Sequence, residues 1–298
     1  MKIEVTGASG FVGKNLINFF NEKSIKTQPL PLRTRVWQKR VPKEADALIH
    51  LAGKAHDTKN TTSEDDYYQI NTDLTIDVFE AFLKSDIRDF IYFSSVKAVA
   101  DTEEDQLSEK EEPNPLTPYG KSKLKAEQYL FSQKLPPGRR LFIIRPCMIH
   151  GPENKGNLNL LYKLVSKGIP WPLGAFENKR SFCSIDNLLF IIKELIEQKD
   201  ILSGVYNVSD DEPLSSNEVV SLLSESQNRN PRIWKVSKGL IHIIAKAGNL
   251  IRLPLNEERL RKLTDSYVVS NQKIKKAIGK PLPVSSKEGL LNTFKSFQ

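Results

Sequence analysis

The chain has 298 residues, of which 39% are hydrophobic and 27% charged, as expected for a globular protein with one large α/β domain and an appended lobe, or with two domains. No apolar run reaches the about 18–20 residues that span a bilayer, and Met1 leads straight into a predicted strand, so we expect neither a membrane span nor a signal peptide. The two cysteines, Cys147 and Cys183, lie in apolar surroundings without metal-ligand spacing; we expect reduced core residues, no metal site and a cytoplasmic protein.

Strands and helices alternate through the first half of the chain. Two prolines in the second predicted strand favour an irregular or edge element. The later strands are continuous apolar runs, which indicate a parallel sheet covered on both faces. The predicted strands cover residues 1–6, 27–32, 46–53, 90–95 and 141–146, and the predicted helices cover residues 11–22, 67–84 and 119–133.

From residue 151 the loops lengthen, and prolines and glycines become frequent. We therefore predict an α/β protein with a Rossmann-type doubly wound parallel sheet in residues 1–150. A smaller substrate-binding lobe is predicted for residues 151–298. This prediction includes the possibility that some later segments pack with the first domain.

Three glycines at a spacing of three follow the first strand and open the first helix. Glycine lets the backbone approach a diphosphate, and the helix N-terminus favours its negative charge. A plain strand-to-helix turn is the alternative, but the flanking pattern favours a dinucleotide site. The predicted cofactor-binding residues are Gly7, Ser9, Gly10, Phe11, Val12 and Gly13 in the turn, and Leu51, Ala52, Gly53 and Pro146 at later strand ends.

The end of the second strand indicates which dinucleotide binds. An acidic residue there selects NAD, and this chain has none. Arg33 and Arg35 follow instead, and arginine pairs well with a 2′-phosphate. We therefore favour NADP over NAD as the cofactor. The alternative is that both arginines are solvent-exposed and do not contact the cofactor.

Tyr119 and Lys123 stand four residues apart in a predicted helix, so they share one face. The ammonium is expected to lower the pKa of Tyr119, because it favours the phenolate. Such a tyrosine exchanges a proton with an alcohol while a nicotinamide exchanges the hydride. Ser95 ends a parallel strand, where ligands bind, whereas Ser94 should face the other side. The predicted catalytic residues are Ser95, Tyr119 and Lys123.

As a set, these motifs resemble the extended short-chain dehydrogenase/reductase superfamily, in its NAD-dependent epimerase/dehydratase branch that acts on nucleotide sugars. The resemblance spans nearly the whole chain. It rests on the glycine turn at 7–13, His-Leu-Ala-Gly at 50–53, Ser-Ser at 94–95, Tyr-Gly-Lys-Ser-Lys at 119–123, Arg-Pro at 145–146, residues 179–188, and residues 269–274 with Leu290.

The resemblance implies that Tyr119 is the acid/base, that Lys123 holds the cofactor ribose and that Ser95 polarises the sugar oxygen. Arg180 matches the arginine that contacts the substrate diphosphate, and Asn71 matches an asparagine that supports the active-site backbone. The expected substrate-binding residues are Lys54, His56, Ser95, Val96, Tyr119, Arg180 and Arg261, with Arg259 as a competitor of Arg261.

The residues after the catalytic serine discriminate between reactions. In the 4,6-dehydratases of the family that this chain resembles, Asp-Glu follows the serine and provides the acid and base that eliminate water. This chain has Val96 and Lys97 at these positions, so 4,6-dehydration is disfavoured. The segments 94–97, 168–174 and 179–182 resemble a UDP-N-acetylhexosamine subgroup of surface-polysaccharide pathways. Its members include 4-ketoreductases, which we favour because of the two arginines, and 4-epimerases with tightly bound NAD. A non-catalytic dinucleotide-sensing protein is the third possibility, against which the retained Tyr119 and Lys123 argue.

The net charge of +8 is concentrated near the end of the sequence. Residues 231–298 contain 14 Lys/Arg and 4 Asp/Glu, a balance of +10, so residues 1–230 carry 30 basic and 32 acidic residues, a balance of −2. A diphosphate substrate, a nucleic acid or an anionic membrane could use this charge, or it is a solvated surface. We expect a UDP-sugar and no nucleic acid.

The segment 234–255 is both apolar and basic, and it suits either a membrane surface or a helix packed on the lobe. We favour the packed helix. A homodimer through the helices at 67–84 and 119–133 is compatible with the resemblance.

Overall fold

The computed structural model describes residues 1–34, 36–54, 63–101, 106–154, 156–251 and 256–297, with the backbone alone for residues 249–251. Its strands are β1 (Lys2–Thr6), β2 (Lys26–Pro29), β3 (Ala47–His50), β4 (Asp89–Phe93), β5 (Gln106–Leu107), β6 (Arg140–Pro146), β7 (Met148–His150), β8 (Phe182–Ser184), β9 (Gly204–Val208) and β10 (Val268–Val269).

The α-helices are α1 (Phe11–Glu22), α2 (Glu64–Tyr68), α3 (Leu74–Leu83), α4 (Pro118–Ser132), α5 (Asn157–Ser166), α6 (Ile185–Glu197), α7 (Ser216–Ser226), α8 (Lys238–Ile251), α9 (Glu257–Thr264), α10 (Gln272–Ile278) and α11 (Ser286–Lys295). A π-helical segment, Gln69–Asp73, joins α2 to α3, and short 3₁₀ turns occur at Trp37–Arg40 and Val96–Ala98.

Six parallel strands form the main sheet, in the order β2-β1-β3-β4-β6-β9. Alternate side chains point to opposite faces, as the two-residue period of a strand requires. In β4, Ile91 and Phe93 enter a core shared with α1 and α6, whereas Phe90 and Tyr92 enter a core shared with α3 and α4. Helices thus cover both faces, and the predicted doubly wound α/β class is confirmed.

Details of the predicted elements differ from the structure. The second strand is the edge strand that its prolines indicated, but it ends at Pro29, because the second proline, Pro31, follows in a turn. The helix predicted at 67–84 is broken by the π-helical segment. Strand β9, which no prediction contained, pairs with β6 in the main sheet.

The lobe has a hydrophobic core of its own. It is formed by loop residues such as Trp171 and Leu214 together with one face each of α5, α7 and α11. Helix α8 contributes Ile241 and Ala245 to this core, so the packed-helix interpretation of the segment 234–255 holds for one of its faces. The division of the chain at residue 150 stays a prediction.

Two short pairings connect the lobe to the loops beside the main sheet. Strand β10 pairs with β5, and β7 pairs with β8. Next to β10, the hydroxyl of Tyr267 donates a hydrogen bond of 2.8 Å to the carbonyl of Ala100. The lobe is therefore anchored directly to the segment that follows the end of β4.

Within the described residues, no helix combines the length and hydropathy needed to cross a membrane, and no group of His, Cys, Asp or Glu is arranged to hold a metal ion. Cys147 and Cys183 are buried free thiols. Burial raises the pKa of both well above the ordinary value, which keeps them protonated.

An ion pair between Glu127 and Arg145 joins α4 to β6, and both side chains are almost fully buried. Glu127→Ala would leave the guanidinium buried without its partner, so we expect a loss of about 3–5 kcal/mol in the free energy of unfolding. Chemical denaturation measures it. The matched control is Glu197→Ala, which removes a half-exposed carboxylate paired with Lys193 and should change the stability by less than about 0.5 kcal/mol. Equal losses of unfolding free energy in the two variants would contradict the stabilising role of the buried Glu127–Arg145 pair.

Candidate active site

The glycine turn between β1 and α1 packs directly against the end of β3. Gly7 has φ +67°, and a Cβ there would lie 2.6 Å from the backbone nitrogen of Ala52. A Cβ at Gly13 would lie 2.4 Å from the carbonyl oxygen of Gly7. Both positions therefore require glycine, for the close approach of two backbone segments.

Helix α1 begins at Phe11, and no side chain caps its first turn, because the N-cap residue is Gly10. Ser9 and Gly10 are exposed, and Phe11 and Val12 are half-buried. An uncapped helix N-terminus behind a glycine turn presents backbone N–H groups to an anion. The turn thus fits a dinucleotide diphosphate, which residues 9–13 would hold.

Hydrogen bonds through His50 connect the ends of β1 and β3 with α3. The Thr75 hydroxyl donates to the carbonyl of Asn71 at 2.8 Å, so it accepts from Nε2 of His50 at 3.0 Å. Nδ1 of His50 then accepts from the Thr6 hydroxyl at 2.8 Å, and Thr6 Oγ1 accepts from the amide of Ala52 at 3.2 Å. The network assigns the Nε2–H tautomer. Burial, aided by the charge of Lys123, lowers the pKa of His50 to about 3 and keeps the ring neutral.

Asn71 lies in the π-helical segment and connects three elements. Its Oδ1 accepts from the Lys54 amide at 2.7 Å, and its Nδ2 donates to the Lys54 carbonyl at 3.1 Å. The same Nδ2 donates to the Ser122 hydroxyl on α4 at 3.1 Å. Asn71 therefore couples the segment after β3 to the helix that carries Tyr119 and Lys123. The side chain of Lys54 itself pairs with Asp66 at 2.9 Å.

The structure brings the three predicted catalytic side chains to one end of the sheet. The hydroxyl of Ser95 lies within hydrogen-bonding reach of the Tyr119 phenol, and Ser95 Oγ also accepts from the amide of Lys97 at 3.2 Å. The ring of Tyr67 packs edge-on against Tyr119, with centroids 6.1 Å apart. Ser94 is buried, and its hydroxyl has no hydrogen-bond partner among the described residues.

Lys123 is held beneath the end of β4. Its Nζ donates to the carbonyl of Phe93 at 2.8 Å and lies 4.9 Å from the centre of the Tyr92 ring. A Cβ at Gly53 would lie 3.2 Å from this ammonium, so the absence of a side chain at Gly53 leaves room beside Lys123. Burial lowers the pKa of Lys123 to about 8, which Glu127 partly opposes.

The predicted lowering of the Tyr119 pKa is wrong. Burial of the phenol raises its pKa, the hydrogen bond from Ser95 counteracts this in part, and Tyr67 raises it further. Lys123 does not reverse the effect, because its ammonium binds the carbonyl of Phe93. The structure thus favours a protonated Tyr119.

Positive side chains gather around Lys97, which follows Ser95 by two residues. Arg180 Nη1 donates to the carbonyl of Lys262 on α9, and burial lowers the pKa of Arg180. Lys97 donates to the carbonyl of Asp101 at 2.6 Å and lies 4.3 Å from the centre of the Tyr267 ring. Burial lowers the pKa of Lys97, as do the charges of Arg180 and Lys262, although Asp101 opposes them. Sequence reasoning missed Lys97 as a site cation; its place two residues after Ser95 was the available signal.

The remaining predicted site residues differ in burial and in their distance from the catalytic candidates along the fold. Val96 is buried in the main core, so only its backbone is available near the site. Arg261 is exposed on α9, beside Lys262. Pro146 ends β6 and is buried against Val208. Leu51 and Ala52 are half-buried after β3, and Arg33 is exposed in the turn after β2. Arg35 and His56 lie outside the described residues.

The chain is similar to known proteins along most of its length. The family model "NAD dependent epimerase/dehydratase family" matches residues 3–209. UDP-glucose 4-epimerase of Vibrio cholerae is 32% identical over 244 residues, which are 74% of this chain and 74% of that protein. N-acetyl-alpha-D-glucosaminyl-diphospho-ditrans,octacis-undecaprenol 4-epimerase of Escherichia coli O157:H7 is 32% identical over 241 residues, 75% of this chain and 71% of that protein.

The fold recurs among solved structures. RMD from Pseudomonas aeruginosa, complexed with NADPH, aligns with a TM-score of 0.77 over 99% of this chain and 98% of that chain, at 22% identity. At that identity the likeness concerns the fold alone.

The buried Lys123 makes stability depend on pH in a defined window. Its pKa is about 8 in the folded protein and the ordinary value is 10.5, so the unfolded chain binds the extra proton between these values. The stability of the wild type should therefore rise by about 3 kcal/mol, relative to Lys123→Met, as the pH increases from about 8 to above 10.5. Urea denaturation at several pH values measures this difference.

Lys121→Met, at an exposed position of the same helix, is the control and should show no such trend. A difference between Lys123→Met and the wild type that is constant with pH would contradict the burial of a protonated Lys123.

Proposed function

This chain belongs to the NAD-dependent epimerase/dehydratase family, and from that premise we propose that it reduces a 4-keto group on a hexose linked to a diphosphate. The observation that supports this proposal most directly is that Ser95 lies within hydrogen-bonding reach of Tyr119, whose pKa is raised by burial. Reduction of a ketone consumes a proton, and a protonated phenol supplies it, whereas oxidation of an alcohol needs the phenolate first. The raised pKa therefore favours the reductive direction.

In this proposal each side chain has a distinct task. When bound, the nicotinamide would supply the hydride for C4. Tyr119 donates its proton to the developing O4 alkoxide. Ser95, within hydrogen-bond reach of Tyr119, donates to the same oxygen and orients it. Lys123 interacts with the cofactor ribose and carries a positive charge near the phenol.

Arg33 supports a preference for NADP. The residues from Pro29 to Arg33 include no acid, and Arg33 is exposed without an ion pair among the described residues. A guanidinium after the second strand can pair with the 2′-phosphate of NADP. An acidic residue at this position would repel that phosphate.

Arg33→Ala should weaken NADPH binding roughly tenfold or more and leave NADH binding nearly unchanged, since a charge-assisted hydrogen bond contributes about 1.5–3 kcal/mol. Fluorescence titration of the two dinucleotides measures the ratio, with Arg40→Ala, another exposed arginine, as the control. Equal loss of both dinucleotides would argue against contact with the 2′-phosphate.

The substrate is proposed to be a UDP-N-acetylhexosamine of surface-polysaccharide synthesis. Arg180 and Lys97 supply positive charge close to each other, and Lys97 follows Ser95 by two residues; a diphosphate requires such a pair of cations. Of the two relatives that are 32% identical, one is named for UDP-glucose and one for an N-acetylglucosaminyl-diphospho-lipid. A diphosphate-linked hexose is the part that these substrates share.

A 4-epimerase with tightly bound NAD is the second candidate, because both of these relatives are named 4-epimerases. A 4,6-dehydratase is disfavoured: the side chain of Val96 is buried in the core, and Lys97 is bound to the Asp101 carbonyl. A dinucleotide sensor without catalysis would not need the Ser95–Tyr119 pair.

The deciding experiment is mass spectrometry of the cofactor that is released from the purified protein, followed by assay with a UDP-4-keto-6-deoxy-N-acetylhexosamine. We expect exchangeable NADPH and its oxidation in step with ketone reduction. Retained NAD, together with interconversion of UDP-N-acetylglucosamine and UDP-N-acetylgalactosamine, would instead establish the epimerase.

Tyr119→Phe should lower the turnover roughly 100- to 10,000-fold, the usual contribution of a positioned acid, while dinucleotide binding persists. The control is Tyr129→Phe on the same helix, whose hydroxyl donates to Glu80 at 2.6 Å. Steady-state kinetics and dinucleotide titration of both variants provide the measurement. Full turnover by Tyr119→Phe would remove the assigned proton donor.

A further inference from the structure

A stretch of the lobe contains no acidic residue but six basic ones. Between Glu225 and Glu257, the sequence has no Asp or Glu. Its cations are Arg229, Arg232, Lys235, Lys238, Lys246 and Arg252. Such a segment is attracted to an extended anionic surface, and the diphosphate site beside Ser95 accounts for none of these six residues.

Helix α8 lies within this stretch and has two apolar faces. Ile241 and Ala245 are buried in the lobe core. Leu240, Ile243 and Ile244 share the outward side, at the i, i+3 and i+4 spacing of one helix face. Their exposed fractions are 49%, 65% and 38%, so three large aliphatic side chains lie together against water. We call these three residues the outer face of α8.

Positive charge and an aromatic ring accompany the outer face. Lys246 is exposed and follows Ile243 by three residues, so it lies next to it on the helix surface. Trp234, four residues before the helix, is 60% exposed. Aliphatic side chains, a tryptophan and lysines are the composition of helices that lie in the interface of an anionic bilayer.

We propose that the outer face of α8 docks the protein on an anionic membrane surface. The contact is interfacial, since α8 is too short to span a bilayer and no helix of the described residues could do so. A second copy of the chain fits this face poorly, because a symmetric contact would bring residues 226–256, with six basic and no acidic residues, against the same residues of the other copy.

Helix α8 lies next to an element that contacts a predicted site residue. It packs against α9, and the carbonyl of Lys262 on α9 accepts a hydrogen bond from Arg180. The docking does not depend on which dinucleotide or sugar the protein uses, so its test is independent of the proposed reaction.

The first experiment uses the wild-type chain and vesicles of phosphatidylcholine with and without phosphatidylglycerol. Trp234 reports the contact directly, because the other two tryptophans, Trp37 and Trp171, are only 5% and 4% exposed. We expect a blue shift of the tryptophan emission and co-sedimentation with the anionic vesicles, both reduced by high salt. The absence of a shift and of vesicle-dependent pelleting would overturn the proposal.

The second experiment locates the contact. Leu240→Asp/Ile243→Asp should lower the partition into anionic vesicles at least about tenfold. Leu160→Asp/Leu202→Asp makes the same change in charge at two residues that are 66% and 78% exposed elsewhere, and it should leave partition nearly unchanged. Thermal denaturation and dinucleotide binding confirm that both variants are folded. Equal loss of vesicle binding in the two variants would overturn the assignment to α8. The assignment would also be overturned if the wild type forms a dimer that does not bind vesicles and only the Leu240→Asp/Ile243→Asp variant dissociates into monomers.

Discussion

The arrangement of the active site depends on the hydrogen-bond network that runs from Thr6 through His50 to Asn71. Parallel strands end side by side, and without a fixed connection the segments that follow them would be free to move apart. Here the Ala52 amide is bound by Thr6, and the backbone of Lys54 is held by both ends of the Asn71 amide. Every member of this network is paired and buried or half-buried, which is the condition under which such a network rigidifies a site rather than weakening it. The glycine turn, the end of β3 and helix α4 consequently keep one relative geometry.

Burial sets the electrostatics of this site more strongly than proximity of charge does. His50, Lys123 and Tyr119 are each shifted toward the neutral form, and in each case burial is the largest cause. The ammonium of Lys123 donates its hydrogen bond to the backbone carbonyl of Phe93. The phenol of Tyr119 therefore stays protonated, although this cation lies one helical turn away. A protonated phenol suits a site that delivers a proton, and this links the packing of α4 to the direction of the proposed chemistry.

Two groups of cations in the lobe differ in their surroundings. Arg180 and Lys262 lie close enough to the half-buried Lys97 for their charges to lower its pKa. The cations around α8 accompany exposed aliphatic side chains instead, and no acidic residue between Glu225 and Glu257 balances them. The sign of the charge is the same, but the first group can bind a small anion in a confined site, whereas the second forms a surface.

Apolar runs, glycine spacing and helical periodicity are local patterns, and they predict the doubly wound sheet, the glycine turn and the shared helix face of Tyr119 and Lys123. Ser95 joins this pair through its place at a strand end and through the family resemblance. The direction of the Tyr119 pKa shift, the π-helical segment around Asn71, the return of β9 to the sheet and the exposure of one face of α8 depend instead on tertiary contacts. These features depend on which groups are buried together and on which carbonyl Lys123 reaches. Such contacts join residues far apart in the chain, and a local pattern carries no information about them.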